Sequence, residues 1–369
     1  MKTLWGNQID FNFYPALQGF YVLNIFTLPI SGMAGYLIYK KTPAEMSQYR
    51  YFLLNIWFWT ALSDFALTIV LQIQLFFPLF GGASCSLFVN YFFPMLPDNG
   101  YFAWVFTVWV LVNASISLLC GFIYRLWALD SETWLRRDKS YLYNFCAGIH
   151  VIKSSFETWE CIMAYTPRDK MATFILERYP QYSSILTIPN FLLLEPALNP
   201  WNGYLFGTLI TGEFAIFGTM IYIFGRISKI LQDRRGCMST RTYQQHRMLT
   251  ISLILQSVLP IVVFYVPITA GMAYLLVDRG ENGYIQGMAH GCLILLCLHT
   301  NINIIAMLCL IRPYRVEVLR WWAKMPWIGK NYNAATRTTT KVISTSRIYR
   351  PRGSMSQTSI IPEIRVELA

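Results

Sequence analysis

Charge is scarce in this sequence: 13% of its 369 residues are charged, 55% are apolar, and the mean hydropathy is positive. Soluble chains carry about 25% charged residues. A chain this poor in charge cannot cover its apolar surface in water. That excludes a soluble multidomain protein and makes a lipid bilayer its solvent. No cleavable signal peptide stands out, and the first apolar stretch is long enough to stay as a membrane span.

Catalytic and metal-binding patterns are missing as well. The eight cysteines contain no CxxC pair and mostly lie in apolar segments, where cysteine behaves as a small hydrophobe. The four histidines, His150, His246, His290 and His299, form no close metal-ligand pair, and no HExxH, GxSxG or P-loop occurs. The last apolar segment has no lysine for a retinal Schiff base. We therefore expect no enzyme, no catalytic residue, no metal and no cofactor. Internal repeats and paired broken helices are absent too, which weakens the alternative of a membrane transporter or channel for a small solute.

What the chain does have is apolar segments of spanning length. Six are clear, at 17–39, 51–77, 101–125, 203–227, 248–277 and 285–311. A seventh, 141–166, carries His150, Lys153, Glu157 and Glu160, which are costly in lipid. The basic residues decide whether it spans. Lys40, Lys41 and Arg50 follow the first segment, and Arg136, Arg137 and Lys139 follow the third. Arg226, Lys229, Arg234, Arg235, Arg241 and Arg247 surround the loop after the fifth, and more follow Arg312. The stretch 78–100 has none. With seven spans, nearly all these clusters share one side, which the positive-inside rule makes cytoplasmic. The net charge of +11 thus marks topology and not a nucleic-acid stripe. The expectation is an all-α, seven-transmembrane helical bundle, with the N-terminus outside and the C-terminus inside.

Positions 150, 153, 157 and 160 follow steps of three and four, so they share one helix face, and Lys153 can pair with Glu157. That face either packs against neighbouring helices or contacts a ligand. After the seventh segment, Pro313 suits a first helical turn, and Val316, Leu319, Trp322 and Ala323 share one side. This predicts an amphipathic eighth helix on the inner membrane face. Residues 1–325 then form the bundle with its eighth helix, and 326–369, rich in Ser, Thr and Arg, a disordered cytoplasmic tail.

Seven helices, a basic third inner loop, an eighth helix and a Ser/Thr tail resemble a G-protein-coupled receptor. Local motifs narrow the resemblance. They are Leu53-Leu-Asn-Ile-Trp-Phe-Trp-Thr-Ala-Leu-Ser-Asp64, Phe122-Ile-Tyr-Arg125, Gln256-Ser-Val-Leu-Pro260, and His299-Thr-Asn-Ile-Asn303 followed by Arg312-Pro-Tyr-Arg315. Together they are similar to the nematode serpentine chemoreceptors of the related classes H and I. The resemblance implies a plasma-membrane receptor of sensory-neuron cilia. Its implied partners are a small environmental chemical (an odorant or a soluble attractant or repellent), a heterotrimeric G protein, and arrestin and a receptor kinase. The chain departs from the wider rhodopsin-like pattern. Tyr124-Arg125-Leu126 stands in place of Asp-Arg-Tyr, Asn-Pro-x-x-Tyr is missing, and no cysteine opens the third segment. Cys85 in the first outer loop could pair with Cys161.

The resemblance puts G-protein coupling and switching on Tyr124, Arg125, Pro260, Pro313, Tyr314 and Arg315, with Pro267 as a second break in the sixth segment. Arg125 reads as a positive-inside flank or as the arginine that meets the G protein, a role its donor fork suits. Intramembrane polar residues to explain are Asp64, Lys153, Glu157, Glu213 and His299. Asp64 and Glu213 serve either as polar contacts within the bundle or in function. Trp104, Trp109, Tyr265 and His290 have the depth of a ligand pocket in the outer half, or else simply pack.

Overall fold

The computed structural model describes residues 14–43, 46–76, 79–93, 98–130, 139–188, 190–262, 266 and 284–324. Seven long helices among them form the bundle. They are α1 (Tyr14–Lys41), α2 (Ser47–Phe65), α4 (Asn99–Leu129), α5 (Lys139–Ala164), α7 (Pro200–Asp233), α8 (Thr240–Pro260) and α9 (Tyr284–Leu310). Shorter helices are α3 (Leu87–Phe92), α6 (Arg168–Arg178) and α10 (Arg312–Lys324). The expected eighth helix is thus present as α10, while the tail 326–369 lies outside the described residues.

Among the described residues, five helices are long and apolar enough to cross a membrane: Gly19–Lys41, Ser47–Leu71, Asn99–Leu129, Pro200–Asp233 and Gly287–Leu310. The doubtful fourth segment, α5, has 26 residues, about 39 Å at the usual rise and enough to span. It exposes Val151, Ile152, Phe156, Trp159 and Ile162 on one side and buries Glu157 and Glu160 on the other. The polar stripe faces protein, and the apolar side is left for lipid. α4 is the buried centre and packs against α2, α5, α7 and α8. Gly121 permits a close approach here: a Cβ there would stand 3.0 Å from Ile56 of α2 and 3.2 Å from Leu253 of α8.

The second segment stops short of its predicted end. α2 continues as a π-helical stretch over Ala66–Leu71, and Gln72 then turns left-handed at φ 39°. The chain enters an antiparallel sheet that the sequence pattern did not announce: β1 (Ile73–Leu75), β2 (Gly81–Ser84) and β3 (Phe191–Leu193), in that order. Ile73 pairs with Ser84, and Gly81 with Leu193. Glycine is required here, because a Cβ on Gly82 would lie 2.6 Å from the Gln74 carbonyl oxygen. Phe76, Ala83, Met171, Ile175, Ile185 and Phe191 give this end its own apolar core. The loops expected at one end of the bundle are therefore a small folded layer. Asn199 joins that layer to the helices: it caps α7 through Trp201 N–H and donates to the Met163 and Tyr165 carbonyls.

Candidate functional site

Arg125 lies near the end of α4, opposite the sheet, and is 3% exposed. Its guanidinium sits 3.8 Å from the ring centroid of Tyr49, at the start of α2. Nη1 reaches Nδ1 of His246 in α8 at 3.5 Å, the long end of a hydrogen bond. Arginine only donates, so Nδ1 is the acceptor and the imidazole is neutral. Arg125 Nε and Nη2 are buried without a hydrogen-bond partner. Tyr124 stacks between Phe52, at 4.6 Å, and Tyr49, at 5.5 Å. The arginine thus bridges three helices through an aromatic face and an imidazole, a weak set of restraints for a buried charge.

Nearby, the fully buried Tyr314 of α10 bonds Thr42 at 2.8 Å. The Thr42 hydroxyl donates to the Ile38 carbonyl, so Tyr314 is the donor. Burial pushes the Tyr314 phenol up to about 12 and keeps it protonated. Arg315 reaches back to the Cys309 carbonyl, and Pro313 occupies the first turn of α10. Pro260 closes α8, and Pro267 lies outside the described residues.

A polar seam joins α5 to α7. Lys153 pairs with Glu157 in a very short contact, and Glu157 is fully buried. Thr208 donates to Glu160 at 2.6 Å. Lys153 also interacts electrostatically with Glu213 and Glu160. Gly212 makes room, since a Cβ there would stand 2.7 Å from the lysine nitrogen. His150, the remaining member of the stripe, turns to α4 and α2. It bonds Asn113 at 2.7 Å and Asn55 at 3.4 Å, and stacks on Trp59.

At mid-bundle, Asp64 is buried beside Thr27 of α1 and Cys297 of α9. Asn24 and Thr68 extend this network between α1 and α2. One cavity of about 80 Å³ opens between α2, α4, α8 and α9. Its polar lining includes Thr60, Ser115, Gln256, His299 and Asn303. Nδ1 of His299 donates to the Leu296 carbonyl, which leaves Nε2 as the acceptor nitrogen.

Comparison with known families then supplies what geometry alone does not. Residues 9–318 match the family described as serpentine type 7TM GPCR chemoreceptor Sri. The chain belongs to the Sri family. Of the two serpentine groups suggested by its motifs, the match is to the second, class I. No curated protein matches the chain. It is a seven-transmembrane, multi-pass membrane protein of a chemoreceptor family.

Within this Sri chain the sequence-based pocket residues separate. Trp104 packs against the buried cluster of Leu71, Ile73, Tyr101 and Leu192 at the sheet end of the bundle, its indole N–H buried without a hydrogen-bond partner. Trp109 instead meets Trp59 edge-on at 5.1 Å, so it packs the α2–α4 contact. Tyr265 lies outside the described residues, as does the His290 side chain. The cavity's lining on α4, Leu111 to Leu118, lies further along that helix toward Arg125 than Trp104 and Trp109. The expected disulfide is not present: neither Cys85 nor Cys161 is disulfide-bonded. Cys85 packs near Leu67, Leu111 and Leu296, whereas Cys161 sits on α5, where its carbonyl accepts from Tyr101. The two thiols occupy separate packing environments. Tyr49 and Asn24 escaped the sequence reading, and the roles of His246, Asn55 and Asn113 did too, since His246 was weighed only as a metal ligand and lies within α8. The asparagines were visible as amides inside apolar segments, but their partners were not.

Proposed function

We propose that this Sri receptor binds a small environmental chemical inside the helical bundle and activates a heterotrimeric G protein at its Arg125 end. The observation that carries this reading is the hold on Arg125. A permanent cation is buried between Tyr49 of α2 and His246 of α8 with two of its nitrogens unpaired. Displacing α8 removes His246 and frees the guanidinium for backbone carbonyls of a partner. Pro260 leaves α8 without one backbone donor and gives it a place to bend. A ligand that prefers the displaced arrangement shifts the population toward it, and ligand and G protein then tighten each other's binding.

The ligand occupies the interior between Trp104 and the cavity below it. The N-terminus and the sheet face outside, the Arg125 end faces the cytoplasm, and the receptor resides in the plasma membrane of a sensory cilium. Arrestin and a receptor kinase act on the tail. The experiment that tests the core of this reading uses the full chain in membranes with a heterotrimeric G protein and a panel of volatile and soluble chemicals. At least one chemical should drive nucleotide exchange. Movement of a solute across the membrane without any exchange would replace the receptor with a transporter.

A further inference from the structure

We propose that the mid-bundle cavity is a binding site for a small neutral hydroxyl compound, a short-chain alcohol. This rests on the reading above, that a ligand inside the bundle sets the position of α8. Gln256 and Asn303 line the cavity and are 5% and 6% exposed, and their side-chain amide oxygens have no hydrogen-bond partner. Buried acceptors left unpaired are costly, so the complementary guest is a donor.

The rest of the lining selects among donors. Among the described residues, none of the lining is a carboxylate, so an ammonium would lose its hydration with no counter-charge. A ketone or ester offers only acceptors and would leave both amide oxygens unpaired. A hydroxyl donates to one of them and accepts from a neighbouring hydroxyl such as Thr60 or Ser115, both in the lining. Trp57, Leu111, Leu118, Leu296 and Met307 supply the apolar wall for an alkyl group.

Size sets the chain length. The cavity measures about 80 Å³, whereas a cavity of about 150 Å³ holds benzene and liquid water takes about 30 Å³ per molecule. The space therefore suits about three or four heavy atoms. Gln256 is on α8 and Asn303 on α9, so a guest held between them bears on the helix that carries His246.

The test uses the purified full chain in nanodiscs and saturation-transfer NMR with 2-propanol, its near-isostere acetone, and 1-hexanol. Saturable 2-propanol binding is expected, with acetone at least tenfold weaker and 1-hexanol excluded. Ala114→Leu, which fills the cavity, should abolish the 2-propanol signal, and Gln256→Leu should weaken it about tenfold. If Ala114→Leu does not fold, Asn303→Leu carries the same expectation as Gln256→Leu. Equal binding of acetone, wild-type binding by the folded variants, or no saturable alcohol binding because the cavity takes only water would each overturn the proposal. Nucleotide exchange is read separately. Alcohol binding with no exchange for any chemical keeps the site and removes the receptor reading. Exchange driven by other chemicals, without alcohol binding, removes the site alone.

Discussion

The guanidinium of Arg125 lies 3.8 Å from the ring centroid of Tyr49, which joins the end of α4 to the start of α2. A desolvated cation–π contact is worth about 2 kcal/mol. Tyr49→Leu removes it and leaves Arg125 held only by the long contact to His246. Ligand-free nucleotide exchange should therefore rise, by about tenfold, while Tyr49→Phe should keep most of the restraint. The measurement is basal exchange at matched surface expression. A silent Tyr49→Leu receptor would show that this contact does not restrain the resting state.

The α5–α7 seam predicts an asymmetric mutational response. Lys153→Ala leaves Glu157 fully buried and uncompensated among Glu160 and Glu213. Breaking a buried pair from one side costs about 3–5 kcal/mol. The single variant should lose most of its folded yield. Adding Glu157→Gln should restore part of it, because the two residues are coupled. Thermal unfolding in detergent measures both, and strictly additive losses would argue against the pair.

Orientation is open to direct measurement. A tag before Met1 should be reached by antibody on intact cells, and one after Ala369 only after permeabilisation. Both tags on one side would contradict seven spans with the N-terminus outside.

Residues 331–369 contain eleven Ser or Thr among basic residues. In the proposed receptor, phosphorylation there would add charge and strong acceptors for desensitising partners. Deleting the tail should prolong signalling and leave ligand affinity unchanged. A collapse of affinity at normal surface expression would assign the tail to ligand binding instead.

The bundle was legible because bilayer thickness imposes apolar runs of spanning length and the positive-inside rule orders the loops. Even the charged α5 declared itself, since its polar residues recur at helical spacing and its other side stays apolar. The sheet was not legible: its strands are three or four residues long, too short for an alternating pattern, and β3 is distant in sequence. Arg125 could be singled out by position, but not its restraints. Tyr49 and His246 lie 76 and 121 residues away in sequence, and only packing brings an aromatic face and an imidazole to one guanidinium. Gln256, Asn303 and His299 stood in the motifs, yet their meeting around one cavity depends on how α8 and α9 rotate against each other. The cysteine pairing failed for a similar reason: separation along the chain says nothing about which helix face a thiol occupies.

Agonist-driven nucleotide exchange by the Arg125→Ala receptor tests the central claim most directly. It should be compared with wild type and Arg136→Ala, using a chemical that activates the wild type, at equal surface expression and ligand binding. Arg125→Ala should abolish or strongly reduce exchange, because it removes the cation proposed to engage the G protein, while Arg136→Ala should change it little. Wild-type exchange from Arg125→Ala would contradict the account and return Arg125 to a topology charge at the end of α4.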